Sequence, residues 1–185
     1  MSPVRMGLAD DRELRRQVLE RTSWLGQHAL VKLVAILLRT RGYRDVRIVG
    51  RKSWRGRGQM GGADLACRFR TLVDEGSVLV QVKAYGPVQR RFVDELRGVL
   101  LREDCGSGIV FTTRRFSKEA KRAASARVGL PVALIGGGGL ARMLVASRIG
   151  VRRDLLSPFP SRLVVDDLFF ESLQDKYPDG KPARK

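Results

Sequence analysis

The sequence lacks the residues on which several enzyme classes depend. It contains a single histidine, His28, so neither a Ser-His triad nor a histidine-based metal site can be assembled. Its two cysteines, Cys67 and Cys105, have neither metal-binding spacing nor a disulfide framework. The four glycines 136–139 lack the Gly-Lys-Ser/Thr ending of a phosphate-binding loop. We therefore interpret His28 as structural and the glycine run as a turn.

Long apolar segments are also missing. The longest uncharged run, residues 128–141, is too short and too rich in glycine to span a bilayer. The N-terminal segment mixes acidic and basic residues and has no apolar core, so we expect no signal peptide. We predict a cytoplasmic protein with no membrane partner, in which Cys67 is a buried, reduced thiol.

Acidic residues are scarce relative to basic ones. The 36 Lys and Arg residues face 19 Asp and Glu, which gives a net charge of +17 and favours a polyanionic partner. Arginine dominates the basic residues and suits bidentate phosphate contacts. No long helix pairs a basic face with an exposed aromatic one, so we predict nucleic acid rather than an anionic membrane. The 185 residues, 43% of them hydrophobic, suit one domain with a real core.

Apolar periodicity predicts the order helix, three strands, helix, strand, helix, strand, helix. A meander followed by alternating helices and strands indicates the α/β class, with a mixed sheet flanked by helices. We place this core at residues 27–151. Residues 1–26 are predicted to form an N-terminal helical extension, and residues 152–185 a linker, a short helix and a disordered basic tail.

Two of the predicted strands, 63–69 and 78–84, carry the chemistry. Their period-two alternation puts Ala63 and Leu65 on one face of the first strand and Val78 to Ala84, at every second residue, on one face of the other. Pairing as a hairpin then brings Asp64, Gln81 and Lys83 to one side, away from the larger apolar face.

Oxygen atoms on that side suit a divalent ion and a phosphate. Mg²⁺ prefers hard oxygen ligands, which the Asp64 carboxylate, the Gln81 side-chain carbonyl and the Val82 backbone carbonyl can supply. Lys83 can hold an attacking water or a phosphate oxygen. The pattern therefore predicts a site for phosphodiester hydrolysis.

Gly-Gly-Ala-Asp at 61–64 and Val-Gln-Val-Lys at 80–83 resemble the Asp…(Glu/Gln)-x-Lys signature of restriction-endonuclease-like nucleases. The glutamine variant resembles the Mrr-like catalytic domain of type IV restriction endonucleases. Three further segments agree: 33–43 is similar to that family's first helix, 112–120 to its TT-x-x-F-(S/T)-x-x-A segment, and 134–140 to its LI-(D/N)-G-x-x-L segment. The likeness covers residues 27–151.

The resemblance implies an αβββαβ core and a Mg²⁺-dependent DNA endonuclease, with Mn²⁺ as an alternative ion. It implies Asp64, Gln81 and Lys83 as catalytic residues, and Asp64, Gln81 and Val82 as metal ligands.

This sequence departs from the family pattern at two places. Family members often carry a glutamate on the first helix, where Val31 and Lys32 stand here. Glu20 of the preceding helix is a candidate substitute, but we favour its interpretation as a solvated helix residue. Gly136 or Gly137 stands where an acidic or amide residue is usual.

Basic residues near the predicted strand ends are candidate phosphate contacts. They are Arg51, Lys52, Arg55, Arg57, Arg90, Arg91, Arg114, Arg115 and Lys118. Two alternatives stay open: a nuclease-derived DNA-binding or assembly module without catalysis, and a structure-selective junction resolvase. We also expect a homodimer or a separate recognition subunit, because paired cuts in duplex DNA need two active sites.

Overall fold

The computed structural model describes residues 7–49, 61–72, 74–126, 128–157 and 162–174. The elements in these ranges are α1 (Gly7–Ser23), α2 (Gln27–Thr40), β1 (Arg44–Ile48), β2 (Leu65–Arg70), β3 (Glu75–Lys83), α3 (Arg90–Glu103), β4 (Ser107–Thr112), α4 (Lys118–Ser125), β5 (Val132–Ile135), α5 (Gly137–Ala146), β6 (Val151–Arg153), β7 (Leu163–Val165) and α6 (Asp167–Leu173). None of the described helices is long and apolar enough to cross a membrane.

Strands β1 to β5 form one mixed sheet in sequential order. β1, β2 and β3 pair antiparallel, and β3, β4 and β5 pair parallel. With α2 before β1 and α3 between β3 and β4, the chain has the predicted αβββαβ order in the α/β class. The parallel strands β3 and β4 end at the same edge of the sheet, where Lys83 lies beside Thr112.

Helices cover both faces of the sheet because its central strand is apolar on both sides. Val78, Val80 and Val82 of β3 belong to the larger apolar cluster, which α1, α2, α5 and α6 complete. Leu79, on the opposite face, belongs to a smaller cluster completed by α3 and α4. The alternation of β3 is therefore as predicted, and Gln81 and Lys83 fall on the side of the smaller cluster.

Val46 and Ile48 lie on one face of β1, with Ile48 opposite Leu65, but Ile48 is 53% exposed because β1 is the edge strand of the sheet. One detail of the strand prediction is wrong. Ala63 precedes β2 and packs in the smaller cluster, not on the face of Leu65.

The glycine run forms the first turn of α5 rather than a separate turn, because the helix begins at Gly137. A Cβ at Gly137 would lie 2.6 Å from Leu19 Cδ1 and 3.0 Å from the Thr113 carbonyl oxygen. Only glycine therefore lets α5 approach α1 and the end of β4 so closely.

The segments outside 27–151 share the core. Leu14 and Val18 of α1, and Phe170 and Leu173 of α6, pack in the larger cluster. Part of the predicted linker forms a two-stranded antiparallel sheet, β6 with β7. Each strand has only three residues, which is too short for an alternating pattern to be recognised in the sequence. The predicted disordered tail, at 175–185, lies outside the described residues.

The interpretation of Cys67 as a buried thiol agrees with the structure. Cys67 and Cys105 are both free and buried. Burial raises the pKa of the Cys67 thiol to about 12, so it stays protonated at neutral pH.

Candidate active site at the end of strand β3

Strand β3 extends three residues beyond the point where its pairing with β2 ends. Backbone pairing between the two strands ends where Leu65 lies opposite Val80. The Asp64 backbone N–H donates to the Val80 carbonyl oxygen at 2.8 Å, and the Asp64 carboxylate Oδ2 accepts from the Val82 N–H at 2.7 Å. The Asp64 side chain thus continues the hydrogen-bond ladder that the backbone of β2 no longer provides.

Gln27, the first residue of α2, holds the next part of the same edge. Its Nε2 donates to the Val82 carbonyl oxygen at 2.7 Å, and its Oε1 accepts from the Ala84 N–H at 3.0 Å. These two peptide groups lie immediately before and after Lys83. Gln27 was not predicted as a site residue, because its only signal in the sequence is a polar amide at the start of an otherwise apolar helix.

The side-chain oxygen of Gln81 is buried beside the site. Its side chain is 2% exposed, and its Oε1 has no hydrogen-bond partner in the described part of the chain. An unsatisfied buried acceptor is disfavoured by about 1–3 kcal/mol. Strand alternation puts Gln81 on the same side of β3 as Lys83, so this oxygen fits a cation ligand.

Lys83 is positioned from three directions. Its Nζ lies 4.5 Å from the ring centroid of Phe92, and the guanidinium of Arg91 lies 4.8 Å from the same centroid. On the β4 side, Thr112 Oγ1 donates to the Lys83 carbonyl oxygen at 2.8 Å. Gln27 holds the opposite edge. Phe92, which the sequence did not single out, therefore brings two cations together beside the site.

Asp64 is the main acidic group of the site. Burial raises the pKa of its carboxyl above the ordinary value, while the Val82 N–H and the nearby Lys83 and His28 side chains oppose that rise. His28 is exposed on the first turn of α2, next to Gln27. In the described ranges no three His, Cys, Asp or Glu side chains cluster as metal ligands do.

The missing helix glutamate is not replaced by Glu20. That residue is exposed on α1, pairs with Arg16 at 3.5 Å and lines a groove with Arg21 and Asp167. Val31 is buried in the larger cluster. The polar residues that α2 brings to the site are Gln27 and His28, one turn earlier on the helix.

Five of the nine predicted phosphate contacts lie at the edge of the sheet where β3 and β4 end. Arg90, Arg91, Arg114, Arg115 and Lys118 are all exposed there. A bridge between Val88 and Phe116 joins the two segments that carry them. Arg114 Nε also donates to the Ala84 carbonyl oxygen at 3.2 Å, next to Lys83. The other four, at 51–57, lie outside the described residues.

Fold and site together define a nuclease of the restriction-endonuclease class, with an Asp…Gln-x-Lys motif at the end of a central strand. Residues 23–144 match the family model Mrr_cat, described as "Restriction endonuclease". The match covers well over half of the chain. The protein belongs to this family of nucleases, hydrolases that act on DNA and generally use divalent metal ions.

A solved structure shows the same fold at low sequence identity, and a second one is similar to part of the chain. The DNA modification-dependent restriction endonuclease AspBHI is 16% identical with a TM-score of 0.56, over 89% of this chain and 40% of that one. The MspJI restriction endonuclease, solved in complex with a 27-mer oligonucleotide, is 23% identical with a TM-score of 0.47, over 75% of this chain and 32% of that one. The chain thus spans less than half the length of either. Among curated proteins, no sequence matches it.

Proposed function

We propose that the chain is a Mg²⁺-dependent DNA endonuclease in which Asp64, Gln81 and Lys83 carry phosphodiester hydrolysis. The arrangement along β3 supports this assignment. The Asp64 carboxylate accepts a hydrogen bond from the N–H of Val82, the residue between Lys83 and Gln81, and the Gln81 amide oxygen has no partner in the described ranges. A carboxylate, an amide oxygen and a lysine within one short stretch of strand suit an ion, a water and a phosphate.

The donor set favours a hard cation. Asp64 and Gln81 offer oxygen atoms only, which suits Mg²⁺, with Mn²⁺ as the alternative ion. The Val82 carbonyl is a third candidate ligand; it accepts a hydrogen bond from Gln27 and keeps a second lone pair. When bound, a divalent ion lowers the pKa of water and neutralises phosphate charge.

The chain's own residues supply the remaining tasks. The Lys83 ammonium donates hydrogen bonds to the attacking water or to a phosphate oxygen, and Arg91 adds a second positive charge beside the same phenyl ring. Gln27 acts as a positioning residue, because it fixes both peptide groups that flank Lys83. Arg90, Arg114, Arg115 and Lys118 are the proposed contacts to flanking phosphates.

A plasmid-cleavage assay tests the assignment. We expect the wild-type chain to cut supercoiled DNA in Mg²⁺ or Mn²⁺ and to lose cutting when EDTA is added. Lys83→Ala should cut at least about 10²-fold more slowly, as when one stabilising donor of a transition state is removed. Lys121→Ala, at an exposed lysine of α4, is the matched control and should stay within about twofold of wild type. Equal cutting by wild type and Lys83→Ala would contradict the assignment.

A second candidate is a DNA-binding module that no longer cuts. The observation in its favour is the absence, in the described ranges, of any cluster of three acidic, His or Cys metal ligands. Salt-sensitive binding of DNA without cleavage in Mg²⁺, Mn²⁺ or Co²⁺ would select this function. For the active enzyme, cuts in both strands need two sites, so we propose that two copies act on duplex DNA; light scattering with and without DNA measures this.

A further inference from the structure

Two exposed aromatic side chains lie beside the candidate site. Of the large apolar side chains that are exposed in the described residues, only Trp24, at 77%, and Tyr85, at 67%, are aromatic. Trp24 lies in the turn between α1 and α2. Tyr85 follows β3, two residues after Lys83. Isolated exposed aliphatic residues are ordinary on protein surfaces, whereas two exposed aromatic rings at one place are informative.

The segments that carry these rings are in contact. Gln27 accepts a hydrogen bond from the Ala84 N–H, which ties the start of α2 to the residue before Tyr85. A Cβ at Gly26 would lie 3.5 Å from the Tyr85 hydroxyl oxygen, so the tyrosine lies along the turn that contains Trp24. Tyr85 therefore follows the residue that Gln27 binds, and Trp24 lies three residues before Gln27, so the two rings belong to segments that this side chain joins beside Lys83.

The charge around this place indicates the occupant. Arg114 donates to the carbonyl oxygen of Ala84, next to Tyr85, and Arg91 lies beside the Phe92 ring that Lys83 contacts. Aromatic faces next to cations suit a ligand that is both anionic and π-rich, which describes a nucleic acid strand. Bases in an intact duplex are stacked on each other, so only an unpaired base can offer its face to these rings.

We propose that Trp24 and Tyr85 stack on an unpaired base of the DNA strand next to the phosphate that is cut. The substrate class is then DNA with single-stranded character at the cleavage point, such as a flap, a gap or a branch. This rests on the proposed nuclease function and adds a structural preference to it.

Fluorescence of Trp24 tests the proposal without cleavage. The chain has two tryptophans, so Trp54→Phe leaves Trp24 as the only one. In EDTA, this variant is titrated with a single-stranded oligonucleotide and with a blunt duplex of the same sequence, while fluorescence anisotropy of the labelled DNA measures binding independently. The control is the triple variant Trp24→Phe, Trp54→Phe and Leu168→Trp, because Leu168 on α6 is also 77% exposed.

We expect the single strand to quench Trp24 and to leave the tryptophan of the Leu168→Trp control unchanged. Trp24→Ala and Tyr85→Ala should each weaken single-strand binding about tenfold and duplex binding less than about twofold. Trp24→Phe and Tyr85→Phe keep a ring and should retain most of the affinity. Unchanged melting curves verify that the alanine variants are folded.

Four results would overturn the proposal: binding of single strands without quenching, equal loss of affinity for single strand and duplex, a fluorescence change caused by protein concentration alone, or a response to anionic vesicles but not to oligonucleotides. The third would indicate contact with a second copy, and the fourth a membrane surface. If single-stranded DNA quenches Trp24 more than duplex DNA does, but no divalent ion supports cutting, the proposed nuclease activity is refuted and the stacking proposal is not.

Discussion

The two halves of strand β3 are held in different ways. From Glu75 to Val80 the strand pairs with the backbone of β2, and β4 is added on its other edge from Val78 onward. From Gln81 to Lys83 it keeps β4 but loses β2, and the side chains of Asp64 and Gln27 take over the exposed edge. The first half is a closed part of the core. The second half has no strand paired along that edge, and Lys83 at its end is half-buried.

The difference shows how one strand can serve both packing and chemistry. If β2 continued beside residues 81–83, its backbone would satisfy the same peptide groups but would cover the proposed phosphate site. Two side chains satisfy those groups with far less bulk, and one of them is the carboxylate proposed to bind the metal ion. Asp64 therefore has a structural role and a proposed catalytic role, whereas Gln27 has a structural role alone.

Asp64→Asn is expected to have the largest effect on cleavage. The asparagine Oδ1 can still accept from the Val82 N–H, so the edge stays bonded while the charge is lost. We expect cleavage to fall about 10²–10³-fold. Asp74→Asn makes the same charge change in the turn at the far end of the hairpin and should leave the cleavage rate unchanged.

The same variant has a defined effect on stability. Because the pKa of Asp64 is raised in the fold, the folded state binds more protons than the unfolded chain, and this group's contribution to stability falls as pH rises through the folded pKa. Asparagine does not ionise, so the Asp64→Asn variant does not lose stability in this way as the pH rises. Its melting temperature at pH 7 should be at least that of wild type, and the difference should shrink toward pH 4. A variant that melts lower at pH 7 would contradict this.

Gln27→Ala tests the opposite case: the Val82 and Ala84 peptide groups lose their hydrogen bonds, while the charges of Asp64 and Lys83 are kept. We expect turnover at saturating Mg²⁺ and DNA to fall about tenfold, since small displacements of a catalytic group are costly, with little change in the Kd for DNA. The Ala84 amide should exchange with solvent faster in hydrogen-exchange measurements. Gln89→Ala, at the start of α3 where the side chain makes no capping bond, is the control. Equal losses in turnover and DNA affinity would argue against positioning.

Val78→Ala changes only the closed half. Val78 is buried opposite Cys67, so the substitution should lower the free energy of unfolding by about 1–3 kcal/mol. The melting temperature should fall accordingly, and turnover per folded molecule should stay within about twofold of wild type. A large loss of turnover would mean that the two halves are not independent.

Sequence patterns predicted the part of the site that depends on strand periodicity. Alternation correctly put Gln81 and Lys83 on one side of β3 because side chains in a strand alternate strictly. It failed at Ala63, which precedes β2 and packs on the side opposite Leu65, since strict alternation holds only within a strand. Gln27 could not be found because its partners lie 55 and 57 residues away, and an amide at a helix start has many other uses.

A graft of residues 27–151 into another protein would be a poor nuclease domain. It would leave behind Leu14, Val18 and Phe170, which cover the same apolar cluster as α2. The helix that delivers Gln27 to Lys83 would then have a solvent-exposed apolar side, and Trp24 would be gone. The part of the chain that packs around the site therefore extends from α1 to α6.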